Sequence, residues 1–154
     1  ALEDLSEIIK LNNFKNIEII KGVVSDKVVD KIFIRNINIP SEASIIEKEY
    51  HLNNNGFFCK SYSIDQLLYS LNLMKSVDFI KIDAESAELQ ILKGSLKTLK
   101  EMKPILYLEI TKNGNEIRDL LLSYNYTLFH FMNGKLKKLE DELPCTSVVA
   151  KPLL

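Results

Sequence analysis

The sequence predicts an α/β fold in which helices pack against a largely parallel β-sheet. In the central third of the chain, short β-branched runs alternate with amphipathic helical patterns, as in right-handed βαβ units. Residues 77–82 form a mostly apolar run, which is typical of a strand buried on both faces of a parallel sheet. Of the 154 residues, 46% are hydrophobic, so residues 1–154 are expected to form a single domain with its own core.

The first forty residues predict one helix followed by two strands. Residues 1–12 carry apolar side chains at helical spacing and predict the helix. The β-rich run 17–24 predicts a strand that ends at Ser25 and Asp26. Residues 28–39 alternate loosely between apolar and polar side chains, which predicts a strand with one solvated face.

The middle of the chain predicts two further strands with a helix between them. The polar stretch 41–56 predicts a loop that could hold a short helix, and residues 57–62 predict a strand. Ser63 stands three residues before Gln66, and this capping-box spacing predicts that a short helix begins there. The apolar strand at 77–82 follows that helix.

The last third predicts two more helices, a strand and a closing hairpin. Leucines at steps of three and four over residues 89–99 predict one helix, and residues 117–124 predict the other. Residues 105–110 predict a strand between them. Residues 127–132 and 146–150 predict a C-terminal antiparallel hairpin, with its turn at the Asn-Gly pair that follows the first of them.

Composition excludes several classes of protein. The 20 Lys and Arg residues nearly balance the 21 Asp and Glu residues, so no nucleic-acid partner is expected. The uninterrupted apolar runs are far shorter than a membrane span. Cys59 and Cys145 form no CxxC pair, and His51 and His130 lack zinc-site spacing, so no metal site is expected. These features are typical of a cytoplasmic protein that needs no disulfide bonds.

Acidic residues concentrate where predicted strands end. In open α/β sheets ligands bind beyond the carboxyl ends of the strands, which directs attention to residues 25–26, 83–88 and 109–113. Asp83, Glu85 and Glu88 repel one another, and a helix N-terminus, a cation or a proton taken up in catalysis would offset that repulsion.

Each of these carboxylates has a structural and a functional interpretation. Glu85 and Glu88 are either helix-starting acids that favour the macrodipole by about 0.3–1 kcal/mol each or catalytic groups. Asp83 ends its strand and is expected to point into the crevice. Glu109 either lines the substrate side of that crevice or is an ordinary strand-end acid.

Three stretches carry a resemblance to a known family. Ser63-Ile-Asp-Gln-Leu-Leu, Val77-Asp-Phe-Ile-Lys-Ile-Asp-Ala-Glu-Ser-Ala-Glu-Leu-Gln-Ile-Leu-Lys-Gly94 and Pro104-Ile-Leu-Tyr-Leu-Glu-Ile110 resemble the C-terminal two thirds of the FkbM-type methyltransferases. The resemblance implies a Rossmann-like three-layer sandwich that uses S-adenosylmethionine to methylate a hydroxyl of a sugar or another small molecule, with a small-molecule or glycan acceptor as its partner.

The resemblance also implies roles for individual residues. Val24, Ser25 and Asp26 follow the family's third strand and correspond to the adenine side of the cofactor site. Asp83 corresponds to a carboxylate that faces cofactor or substrate. The implied catalytic set is Asp83, Glu85 and Glu88, acting as base or as substrate-orienting groups, with Glu109 on the substrate side.

The sequence departs from the family pattern in two ways. Ser86 stands where the family usually has a glycine, and glycine permits a left-handed backbone, so a slightly different turn is expected. The five glycines form no GxG, so the glycine-rich loop that cradles the methionine end of the cofactor is absent, as is the ribose-binding acid. We therefore expect a domain that lacks its first strands, and residues 1–154 alone should bind the cofactor weakly and be inactive.

Two alternatives come from other functional classes. Asp83 and Glu85 could hold a divalent metal for phosphoryl transfer, although the chain has no phosphate-binding glycine loop. The chain could also be a non-catalytic module that pairs an open sheet edge with a partner strand, and a homo-oligomer would use the same edge. A response to metal in a titration would support the first alternative, and strand-mediated dimers in solution would support the second.

Overall fold

The computed structural model describes residues 2–35, 44–46, 56–73, 77–132, 135–139 and 147–153. These residues form an α/β structure with five helices and ten strands. The elements are α1 (Leu2–Leu11), β1 (Val23–Val24), β2 (Ile32–Arg35), β3 (Ser44–Ile46), β4 (Gly56–Cys59), β5 (Ser61–Tyr62), α2 (Ile64–Ser70), β6 (Phe79–Asp83), α3 (Glu88–Lys93), α4 (Leu96–Glu101), β7 (Ile105–Glu109), α5 (Gly114–Ser123), β8 (Tyr126–Met132), β9 (Lys135–Lys138) and β10 (Ser147–Pro152).

The largest sheet is mixed and has five strands in the order β6-β7-β10-β8-β9. β6 and β7 are parallel, and their register places Asp83 beside Glu109 at the carboxyl ends. β10 lies antiparallel between β7 and β8. The predicted α/β fold class is confirmed at this level.

Two smaller sheets come from the first half of the described chain. β1 pairs in parallel with β5, and β2 lies antiparallel between β3 and β4. The predicted strands at 17–24 and 28–39 are therefore shorter than expected, because only Val23–Val24 and Ile32–Arg35 make described ladder contacts.

The core fills one face of the five-stranded sheet. Inward-facing side chains of the strands pack against leucines of α3 and α4 and the apolar face of α5. Ile82, Leu106, Leu108 and Val148 contribute from the sheet, and all are almost fully buried. This pattern follows from the period-2 alternation of strand side chains.

The opposite face of the sheet is largely open in the described part of the chain. Phe79 is 57% exposed at one edge and Phe131 is 65% exposed towards the other, with Ile105 and Leu136 also exposed. A third layer over this face therefore stays a prediction.

Local sequence accounts for the start of α2. The Ser63 side chain accepts a hydrogen bond from the backbone N–H of Gln66 at 3.1 Å, which confirms the predicted cap.

The helix predicted over residues 89–99 is wrong in one respect, because the chain forms two helices there, α3 and α4. Gly94 ends α3. The carboxylate of Asp65 then accepts hydrogen bonds from the N–H groups of Lys97 and Thr98, both at 2.9 Å, and so caps α4 from a distant part of the sequence.

The C-terminal pairing also differs from the expected hairpin. β8 does pair antiparallel with β10, but its hairpin partner is β9, on its other side. The side chains of β9 are all exposed and three of them are lysines, so this segment has no buried face to mark it as a strand. β10 instead lies between β7 and β8, where Val148 and Ala150 are buried.

Some predicted features fall on residues that the structure does not describe. His51, Cys145, the Asn133-Gly134 turn and most of the loop at 41–56 lie outside the described residues. Among the helices that are described, none combines the length and the apolar character needed to cross a membrane.

Candidate active site

A cavity of about 740 Å³ opens between the short strand β1 and the strand β6. This volume lies within the range of small-molecule and cofactor sites. Its walls come from well-separated parts of the sequence: Val23–Ser25 on one side, and residues 80–87 with the first turns of α2 and α3 on the other. The carboxyl end of β6 forms its polar rim, as expected for an α/β sheet.

The inner walls of the cavity are apolar. Val23 and Val24 come from β1, Ile80 and Ile82 from β6, and Ile64 begins α2. Branched aliphatic side chains on two sides suit a flat, weakly polar ring system between them.

The cavity brings together four of the residues predicted from the sequence. Val24, Ser25, Asp83 and Glu85 all line it. The other three predicted residues, Asp26, Glu88 and Glu109, are not among its lining residues.

Hydrogen bonds and close packing hold the turn formed by Ser25 and Asp26. Ser25 is buried, and its backbone N–H donates to the carbonyl oxygen of Tyr62 at 2.8 Å. Its hydroxyl donates to Asp26 Oδ1 at 3.0 Å. Gly94 packs against this turn so closely that a Cβ atom there would stand 2.5 Å from the Ser25 carbonyl oxygen.

Asp83 is held by a lysine of its own strand. Lys81 Nζ lies 3.0 Å from Asp83 Oδ2, because residues two apart in a strand share a face. The hydrogen bond that Lys81 donates to Asp83, together with the negative charge of Asp83, raises the pKa of Lys81, and the charge of Glu109 adds to the effect. The Asp83 side chain keeps 41% of its surface exposed, so the carboxylate remains accessible at the rim.

The turn between β6 and α3 is left-handed. Glu85 and Ser86 have φ values of 43° and 82°, in the region that favours glycine. Ser86 therefore adopts a left-handed backbone conformation that glycine adopts at lower cost, and the expected change of turn stays a prediction. Its hydroxyl shares a hydrogen bond of 3.0 Å with the hydroxyl of Thr111, which ties the turn to the segment after β7.

Glu88 lies beneath this turn rather than on the cavity surface. It is fully buried at the first position of α3, and its Oε1 accepts the Ser86 backbone N–H at 3.1 Å. Its Oε2 is buried without a hydrogen-bond partner among the described residues. This geometry suits a residue that holds the left-handed turn in place.

Glu109 lies beside Asp83 in the β6–β7 register and is exposed. It contributes negative charge at the rim, outside the cavity lining. Among the described residues, no three His, Cys, Asp or Glu side chains lie close enough together to hold a metal ion. The predicted metal pair of Asp83 and Glu85 stays a prediction, since a pair is smaller than such a group.

The polar lining residues Lys81, Gln90 and Lys112 were not among the site residues predicted from the sequence. The position of Lys81 could have been found from strand alternation, since it lies two residues before Asp83. The sequence indicates the position of Gln90 less directly: it lies one helical turn after Ala87, so both residues are on the same side of α3. Lys112 lies after β7 in the segment 109–113, to which the strand-end rule directs attention, but only Glu109 of that segment was predicted as a site residue.

The fold and the cavity together define an α/β domain with a ligand-sized site at the carboxyl end of its sheet. The family model described as Methyltransferase FkbM domain matches residues 59–140, which is more than half of the chain. The chain belongs to this methyltransferase family, as its resemblance had indicated. Searches of curated proteins and of solved structures find no match.

Proposed function

We propose that the chain is the S-adenosylmethionine-dependent O-methyltransferase domain of a protein that methylates a hydroxyl of a sugar or another small molecule. The observation that carries this proposal is the cavity, because it joins Val23–Ser25 to the Asp83–Ser86 turn across a long stretch of sequence. Membership of the methyltransferase family supports the reaction class.

The residues present fit one end of the proposed cofactor. Val23 and Val24 offer an apolar wall for adenine, with Ser25 and Asp26 at its edge. Asp83 and Glu85 offer carboxylates at the rim, where a positively charged group would be favoured. When bound, S-adenosylmethionine supplies a methyl group on a positively charged sulfonium.

The acceptor hydroxyl must lose its proton as the methyl group is transferred, and a carboxylate at the rim is suited to receive it. Asp83 has the required accessibility, and Lys81 fixes its orientation through the 3.0 Å ion pair. Glu85 lines the same rim and is the second candidate base. We assign Glu88 to positioning of the turn, and Glu109 to the substrate side of the rim.

The edge of β6 bears on how the site is completed. Among the described strands, β6 has a neighbour on one side only, β7. We propose that a further parallel strand of a Rossmann-like sheet pairs with this free edge and completes the methionine side of the site. An unpaired apolar edge favours association, so the same observation supports the alternative of a non-catalytic module that binds a partner strand there.

The test of this function is substitution at Asp83 in the whole protein, assayed with labelled S-adenosylmethionine against a panel of hydroxyl-bearing acceptors. We expect Asp83→Asn to lower turnover by about 10²–10⁴-fold while thermal unfolding changes little, because the lost group acts in the transition state. Asp78→Asn is the matched control, since Asp78 is exposed just before the other end of β6.

A substitution at Glu88 separates an effect on stability from an effect on turnover. Glu88→Ala should lower stability rather than turnover, because it removes the buried oxygen that accepts the Ser86 backbone N–H. Normal turnover in Asp83→Asn would remove Asp83 from the mechanism. Strand-mediated dimers without any methyl transfer would favour the binding module.

A further inference from the structure

Lys112 places a positive charge on the cavity rim that no described residue neutralises. The charged side chains of the described lining are Lys81, Asp83, Glu85 and Lys112. Lys81 and Asp83 form the 3.0 Å ion pair and so neutralise each other. The side chain of Lys112 is exposed and makes no ion pair or hydrogen bond within the described part of the chain. Its ammonium group, which can only donate, is therefore available to an anionic ligand.

The segment that carries Lys112 is attached to the turn after β6. The hydroxyl of Thr111, the residue before Lys112, shares the 3.0 Å hydrogen bond with the hydroxyl of Ser86. Ser86 directly follows Glu85, and both line the cavity together with Lys112. This bond keeps Lys112 on the same rim as the two candidate bases, Asp83 and Glu85.

The strand order indicates which ligand Lys112 faces. The free edge of β6 is where we have proposed the strand that completes the methionine side of the cofactor site. Lys112 follows β7, which neighbours β6 on the opposite side. Lys112 therefore lies away from the expected position of the cofactor's own carboxylate and on the side that remains for the acceptor.

The charge balance of the rim favours an anionic acceptor. The two lysines and the two carboxylates of the described lining cancel. S-adenosylmethionine has a net positive charge, since its sulfonium and ammonium groups outnumber its one carboxylate. An acceptor with a negative charge would match that excess, and a neutral acceptor would not. Glu109 lies outside the lining, and its charge acts on Lys81, whose pKa it helps to raise.

We infer that Lys112 binds a carboxylate or phosphate group of the acceptor, so that the preferred acceptor is an acidic hydroxyl compound such as a uronic acid or a sugar phosphate. This inference rests on the proposed function and names its substrate class. The carboxylate of the cofactor offers the same chemistry, so the experiment has to separate the two sources.

The test uses the whole protein and a panel of acceptors in pairs that differ by a charged group. Uronides are paired with the matching glycosides, sugar phosphates with the free sugars, and hydroxy acids with the matching alcohols. Methyl transfer is measured with labelled S-adenosylmethionine, and calorimetry gives the Kd of S-adenosylhomocysteine. For the pair that is methylated, we expect kcat/KM to be about ten-fold higher for the acidic member, the effect of one charge-assisted hydrogen bond. The preference should fall as salt is added.

Variants of Lys112 test its role directly. Lys112→Gln should abolish the preference by raising KM for the acidic acceptor about ten-fold, with kcat unchanged, because the contact is made equally in the ground state and the transition state. Lys112→Arg keeps the charge and should retain most of the preference. Lys100→Gln, at an exposed position of α4, is the matched control and should retain all of it. Thermal unfolding of Lys112→Gln should be unchanged, since the side chain is exposed.

Each other outcome overturns a defined part of the account. Equal kcat/KM within the pairs, or a preference that survives in Lys112→Gln, would overturn the role of Lys112 and leave the proposed function standing. A higher Kd for S-adenosylhomocysteine in Lys112→Gln, with the acceptor preference intact, would assign Lys112 to the cofactor's carboxylate and overturn the inference in the same way. Absence of methyl transfer to every acceptor of the panel would overturn the proposed function, and this inference with it.

Discussion

The two ends of the described chain differ in how their apolar residues are covered. Between residues 77 and 152, the five-stranded sheet and its helices enclose side chains such as Leu108, which has no exposed surface. In residues 2–35, Leu5 is 43% exposed, and Ile8 and Phe14 are about half exposed. Both regions have clear helical or strand patterns, so local pattern does not explain the difference.

The difference lies in the partners available to each region. Strands β6, β7, β8 and β10 neighbour one another in one sheet, and α3 and α5 pack on the same face, so this part closes its own core. Helix α1 has an apolar face with no comparable cover among the described residues. The cavity lies at the junction, with β1 from the open region on one wall and β6 from the closed region on the other.

The largest expected effect contrasts the same substitution in the two regions. Leu108→Ala should lower the free energy of unfolding by about 2–5 kcal/mol, because it leaves a cavity in an enclosed core. Leu5→Ala should cost less than about 1 kcal/mol, since the side chain is already partly solvated and alanine favours helix. Chemical denaturation of both variants measures the difference. Equal losses would show that α1 is as firmly packed as the sheet.

The pH dependence of folding stability tests the burial of Tyr126 in the enclosed region. Its ring and hydroxyl are buried, the hydroxyl has no partner among the described residues, and burial raises the pKa of Tyr126 to about 12. Between the ordinary tyrosine pKa of about 10 and this value, the folded protein holds a proton that the unfolded chain releases. Stability should therefore be unaffected below about pH 10 and should fall by roughly 2–3 kcal/mol as the pH rises to about 12.

Tyr126→Phe should remove that alkaline loss and cost no stability at neutral pH. Urea unfolding of both proteins from pH 8 to pH 12 provides the measurement. Tyr69→Phe, at an exposed position of α2, is the control and should leave the pH profile unchanged. An unaltered alkaline loss in Tyr126→Phe would show that other groups cause it.

The junction of the two regions is tested at Gly94. Its φ of −80° suits any residue, but a Cβ atom would collide with the Ser25 carbonyl oxygen. Gly94→Ala should therefore lower stability by about 1–3 kcal/mol and weaken cofactor binding by displacing the Ser25 wall. Gly114→Ala, at the first position of α5, is the control and should be neutral or slightly stabilising. Unchanged stability and binding in Gly94→Ala would show that the Ser25 turn is not anchored there.

The smallest expected effect concerns the left-handed turn at Ser86. Ser86→Ala loses the hydrogen bond to Thr111 and keeps a Cβ atom at a φ of 82°. Ser86→Gly also loses the bond but relieves the backbone strain, so it should be more stable than Ser86→Ala by about 1 kcal/mol. Thermal unfolding compares the two variants. Equal stability would mean that the turn relaxes when the hydroxyl is removed.

The parts of the fold that the sequence predicted are those with a local signal. The cap at Ser63 depends on one residue three positions away, and the strand at 79–83 depends on its own apolar run. The division between α3 and α4 was missed because Asp65, more than thirty residues upstream, supplies the cap of α4. Strand β9 was missed because its lysines face solvent on both sides.

The candidate site follows the same rule. Asp83 could be predicted because it ends the largely apolar strand β6, and Ser25 because it follows the short strand β1. Gln90 was missed because its place on the cavity wall depends on how α3 packs against the sheet edge, and Lys112 was not singled out within the flagged segment 109–113. The burial of Glu88 beneath the turn likewise depends on the left-handed backbone at Glu85 and Ser86.

The central claim is that the cavity between β1 and β6 holds S-adenosylmethionine. Ultraviolet crosslinking of the whole protein to methyl-labelled S-adenosylmethionine, followed by peptide mapping, tests it most directly. We predict that the label attaches within residues 23–26 or 80–91 and that excess S-adenosylhomocysteine prevents the labelling. A displaceable label confined to any other segment, or no displaceable label at all, would contradict the claim.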